Sequence, residues 1–95
     1  MKFLFGNLKM DSISGDVSIR EAAAKLKERG VGALIVRNGG NPIGIITDRD
    51  ITVRATAMGR DPNGTMVKDI MTPDVKYFVH NESRRVRDFF PRAAV

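Results

Sequence analysis

The sequence contains no cysteine and no tryptophan, and its single histidine is His80. Without thiols there is no disulfide framework and no thiolate nucleophile. One imidazole leaves little from which to assemble a zinc site. Long hydrophobic runs are also missing. The apolar opening Phe3-Leu4-Phe5 is broken by Gly6, Asn7 and Lys9 before a signal-peptide core forms, and nothing approaches the ~20 apolar residues of a membrane helix. There is no glycine-rich phosphate loop, no nucleophile elbow and no nucleophile with a base at working spacing. No catalytic site is read, the protein is expected not to be an enzyme, and the lack of cysteine fits a cytoplasmic location.

What is present is an ordinary globular composition: 42% hydrophobic and 28% charged over 95 residues, enough for one domain with a modest core. Domains this small often gain stability by associating. The net charge of +5 is uneven. Residues 84–95 hold Arg84, Arg85, Arg87 and Arg92 against Asp88, so over half of the excess sits in the tail and the body is only mildly basic. Net charge is therefore a weak argument for a nucleic-acid partner.

Residues 1–16 are poorly patterned. Phe3, Leu4 and Phe5 fit a short strand or an apolar arm, and Gly15-Asp16 a turn. The clearest helix is Ser18 to Arg29. Ser18 and Glu21 form a capping-box pattern, Ile19, Ala22, Ala23 and Leu26 make one apolar stripe, and Gly30 ends the helix. Val31 to Val36 is too short for a helix and reads as a buried strand. Arg37 to Pro42 is a dense turn signal, and Ile43 to Thr47 returns as the second strand of a hairpin. Strands apolar on both faces imply a sheet covered on both sides. Asp48 to Met58 reads as a second helix, with Ile51, Ala55 and Met58 on one face and Gly59 at its end. Met58, Met66 and Met71 read as core filler.

The chain is organised around Gly44 to Asp50. A strand runs into a helix start that carries Thr47, Asp48 and Asp50. A threonine hydroxyl there caps the helix, and the acids meet the positive end of its dipole. The same groups suit a polar ligand, since a carboxylate accepts from the two hydroxyls of a diol. Capping is the commoner use of such residues. Asp48 and Asp50 as a magnesium pair is the weaker reading.

Thr65 to Thr72 leads into a second unit, followed by a β-leaning Val75 to Val79. Setting Ser83 over Ser18 lays NESRRVRD over DVSIREAA, a cap before a basic helix start. The first unit continues into a hairpin and a helix, whereas the sequence ends before the second reaches them. The face left over is either covered by another chain, most simply in a homodimer, or stays exposed.

The run SIREAAAKLKERGVGALIV, the turn, GIITDRDITVRATAMGRDP and VKDIMT together resemble the CBS domain, the cystathionine β-synthase repeat. The resemblance covers residues 17–73 well and 74–83 more loosely. It implies an α/β (α+β) fold: a β-α-β-β-α unit, about residues 12–64, with a small sheet packed by two helices, and an incomplete second unit from about residue 65. It also implies a regulatory module binding an adenosine compound (AMP, ADP, ATP or S-adenosylmethionine), with no cofactor required, working as a homodimer or higher oligomer. By that resemblance Thr47 and Asp50 hold the ribose hydroxyls, Gly44 lets the backbone approach closely, Val31, Gly32 and Ala33 line the adenine pocket, and Ile46 flanks the ring. Arg49 is the nearest basic residue for a phosphate, with Arg54 and Arg60 behind it. The tail RRVRDFFPRAAV departs from the family pattern. The alternatives are a ligand-free dimerisation module and, more weakly, nucleic-acid binding through the basic tail.

Overall fold

Five strands form one sheet in the order β1-β2-β3-β4-β5, in a computed structural model that describes residues 2–5 and 8–73. The strands are β1 (Lys2–Phe5), β2 (Leu8–Ser14), β3 (Ala33–Asn38), β4 (Asn41–Thr47) and β5 (Thr72–Pro73). The β2–β3 pair is parallel, bridged by helix α1 (Ile19–Arg29), and the other pairs are antiparallel. The expected β-α-β-β-α order is thus β2-α1-β3-β4 followed by α2 (Asp48–Asp50). Its first strand begins at Leu8, within the stretch that lacked pattern.

Strand alternation sorts the apolar residues onto two faces. Ile13, Leu34, Val36 and Ile46 pack with Ile19, Ala22 and Leu26 of α1 and with Ala55, Val67 and Ile70. Ile35 pairs with both Ser12 and Ile45, so these three share the opposite face, and all are buried there too. The sheet is covered on both sides, as the doubly apolar runs imply. Each such isoleucine or leucine contributes about 1.5–3 kcal/mol of burial.

Three of the orphan amides at the start of α1 find acceptors: Ile19 N donates to Thr65 O, Arg20 N to Pro62 O and Glu21 N to the Ser18 hydroxyl, while Ala22 N makes the first intrahelical bond, to Ser18 O. The expected cap is therefore formed by Ser18, and the connection around residues 62–65 completes it. Val67 N also donates to Val17 O and Lys68 N to Gly15 O. These bonds dock a short helix, α3 (Val67–Ile70), whose Val67 and Ile70 enter the core of the first unit. Sequence that reads as the lead into a second unit is structurally part of the first.

Two expectations change. The hairpin turn is narrower than residues 37–42: Asn38 pairs with Asn41 around Gly39 and Gly40, with Gly39 at φ 62°. Pro42 lies inside β4, where the register shifts between Val36 and Arg37, and an irregular ladder tolerates the missing amide. The second helix is not uniformly α. Beyond Asp50 the chain winds as a π-helix over Ile51–Thr56, with Ala57 N donating to Thr52 O at 2.8 Å. The wider turn breaks the expected stripe. Ala55 is fully buried, but Met58 is 71% exposed and Met66 is also exposed, so neither fills the core, while Met71 packs against it. The β-leaning 75–79 segment, the cap at Ser83, His80 and the arginine tail lie outside the described residues.

Candidate functional site

The site is built where α1 hands over to β3 and β4 hands over to α2. Gly30 takes a left-handed φ of 64°, and Val31 N donates back to Leu26 O at 3.1 Å. This six-to-one bond, with Gly30 N donating to Lys27 O, is a Schellman end. It delivers Val31 and Gly32 to the surface and half-buried Ala33 to the start of β3. Ala33 pairs directly with Thr47, and Asp48 N donates to Gly32 O at 3.1 Å. The three residues assigned to a base pocket and the two assigned to a diol are therefore neighbours across one strand pair.

Thr47 and Asp50 close a reciprocal capping box. Asp50 N donates to Thr47 Oγ1 at 3.0 Å, and Thr47 N donates to Asp50 Oδ2 at 2.9 Å. Both side chains are buried, Thr47 at 4% exposure and Asp50 at 9%. The capping use is real. It engages only one carboxylate oxygen, however. Asp50 Oδ1 faces Arg54 Nε at 3.8 Å, an ion-pair contact longer than a hydrogen bond. That oxygen keeps acceptor capacity for a hydroxyl donor.

A cleft of about 500 Å³ is lined by Val31, Gly32 and Ala33 together with Lys2, Lys9 and Arg29; Thr47 and Asp50 do not line it, and Ala33 links it to Thr47 through the strand pair. Arg29 Nε meets Asp11 Oδ2 at 3.6 Å across the same cleft. The lysines were not legible as site residues, because β1 and β2 carry no clear alternation and β2 meets β3 only across α1.

Three of the residues singled out in the sequence make other contacts. Ile46 is fully buried on the helix-facing side of the sheet, paired with Leu34, so it does not flank a ligand ring. Gly44 permits a close approach, but of β5: a Cβ there would stand 2.6 Å from Met71 Sδ and from Thr72 O. Arg54 commits its Nη1 to Ile70 O and Met71 O, at 3.2 Å each. Arg49 and Arg60 are exposed. Among the described residues no three acidic or imidazole groups converge to hold a metal, and no helix is long and apolar enough to cross a membrane.

The profile of the CBS domain family matches residues 8–55. The chain is 41% identical over 64 residues to a CBS domain-containing protein of Bacillus subtilis, covering 67% of this chain and 45% of that one. A solved CBS-domain protein of Agrobacterium tumefaciens superposes with a TM-score of 0.62 at 32% identity, over 68% of this chain and 52% of that one. A hexameric CBS-CP12 protein of bloom-forming cyanobacteria gives 0.62 at 27% identity, over 90% and 49%. The chain spans less than half the length of its curated relatives. Proteins of this family are typically regulatory rather than enzymes, and often dimeric. With the matched profile spanning half of its residues, this chain belongs to the CBS domain family.

Proposed function

We propose that the protein is a regulatory module that binds an adenosine compound at the Thr47–Asp50 turn and acts as a cytoplasmic homodimer. The observation that carries this reading is the pairing of Ala33 with Thr47, one helical turn before Asp50. It sets a slender edge, exposed at Val31 and Gly32 and half-buried at Ala33, alongside a carboxylate oxygen that the capping box leaves uncommitted. A flat base suits the edge, and a ribose diol suits the oxygen. Arg49, exposed on the first turn of α2, remains the nearest cation for a phosphate at that end. No cofactor is required. Binding regulates only if it favours one arrangement of the subunits over another.

Thermal unfolding against AMP, ADP, ATP, S-adenosylmethionine and a guanosine control tests the reading. A ligand at 100 times its Kd adds about 2.7 kcal/mol. For a domain this small that is a shift of roughly 10 °C or more. A shift with an adenosine compound and none with guanosine is expected. The second reading, a dimerisation module without a ligand, draws on the reciprocal capping bonds between Thr47 and Asp50. It predicts no shift with any compound in a chain that is dimeric by sedimentation.

A further inference from the structure

We infer that Arg54 is a positioning residue that couples the Asp50 carboxylate to the docking of the α3–β5 segment. The inference rests on the ligand reading above for its regulatory meaning, but its structural half stands alone. Arg54 spans two places in the fold. On one side its Nε lies 3.8 Å from Asp50 Oδ1. On the other its Nη1 forks to the carbonyls of Ile70 and Met71, at 3.2 Å each. Those carbonyls belong to the end of α3, where a helix leaves acceptors without intrahelical partners. The next two residues, Thr72 and Pro73, form β5 and pair with Ile45 and Gly44. The guanidinium therefore holds the segment through which the chain leaves the first unit, and the same planar group leans on the acid of the site.

The π-helical winding makes this reach possible. Arg54 sits in the middle of Ile51–Thr56, where the backbone is wider than an α-helix. π-segments are uncommon and recur at functional positions. Five donors in a fixed fork suit one arginine to both a carboxylate and two carbonyls, which a lysine does not reproduce. A hydroxyl that takes the acceptor capacity left on Asp50 Oδ1 draws on the same oxygen that Arg54 faces, which weakens the anionic anchor of Arg54 and its hold on the two carbonyls. Occupancy of the site and docking of α3–β5 are thereby linked, and the linkage is reciprocal.

The test reads amide exchange at Met71, whose N–H donates to Val67 O at 3.0 Å. Asp50→Asn keeps an oxygen for Thr47 N and removes the charge facing Arg54. Arg54→Met removes the fork. Without ligand, each single variant is expected to speed exchange at Met71 by threefold or more, and the double variant to add little to either. Multiplying factors in the double variant, or an unchanged Met71 amide in Asp50→Asn, would overturn the coupling. With saturating AMP, Met71 exchange in the wild type is expected to rise, while Arg54→Met binds AMP with no change there. AMP binding that leaves wild-type Met71 untouched overturns the link to the ligand and leaves the ligand reading intact. If no adenosine compound binds, the ligand reading fails, and the ligand-free cycle still decides the role of Arg54.

Discussion

Gly44 shows how one residue serves a purpose other than the one its motif suggests. The space its missing side chain leaves is filled by Met71 and by the backbone of Thr72, which cannot swing aside. Gly44→Ala should therefore destabilise the fold by about 1–3 kcal/mol, as overpacking of a close backbone contact does. Urea unfolding would measure it, and an unchanged midpoint would contradict the crowding. Asp50 makes the complementary point, since it caps and also presents an oxygen. Asp50→Ala loses the bond to Thr47 N and should cost about 1 kcal/mol, the usual cost of a lost cap, whereas Asp50→Asn should stay within a few tenths of wild type. Equal losses in the two variants would show that charge, and not capping, is what the fold uses at this position.

At the scale of elements, α3 is tied to the first unit by more than its apolar side chains. Lys68 Nζ lies 3.0 Å from Asp16 Oδ1. The hydrogen bond to that carboxylate, and then its charge, raise the lysine pKa above its ordinary value. A raised pKa stabilises the fold fully below the unfolded lysine value, and the contribution is lost as pH rises through the folded one. The stability difference between wild type and Asp16→Asn should thus be constant from about pH 6 to 9 and close above roughly pH 10.5. A difference that grows in alkali would contradict the pairing. The elements also show what the sequence makes legible. Ser18, the stripe of α1, Gly30 and the hairpin were readable because caps, periodicity and turn chemistry are local. Strand β2 was not, because it is defined by pairing with β3 across an eleven-residue helix. The π-winding after Asp50 was not either, since the spacing of Ile51, Ala55 and Met58 suits an α-helix and only tertiary packing of Arg54 and Ala55 favours the wider turn.

For the whole molecule, the core and the candidate site were legible to different degrees. The pairing of Thr47 with Asp50 follows from their spacing alone, and the proximity of Val31 to Ala33 follows once the hairpin is drawn. The burial of Ile46 beneath α1 depends on which face each strand residue takes, and the register shifts between Val36 and Arg37, where Ile43 of β4 is left over. Val53 on the π-helix is 45% exposed, and Met58 in the turn after it 71%. Both are apolar, and their burial suits a second copy of the chain. Sedimentation should find a dimer, and Val53→Asp with Met58→Asp should shift it to monomer without unfolding. A dimer that survives both substitutions would place its interface elsewhere.

The ligand is the central claim, and one titration tests it most directly. Calorimetry of the wild type and Asp50→Asn against AMP, with guanosine monophosphate as control, separates a binding site from a helix cap. A hydrogen bond to a charged group is worth about 1.5–3 kcal/mol. The account predicts that the wild type binds AMP and not its guanosine counterpart, and that Asp50→Asn, still folded, binds AMP at least tenfold more weakly. Equal AMP affinity in the two proteins, or no heat with either, would contradict it and leave Thr47 and Asp50 as a cap.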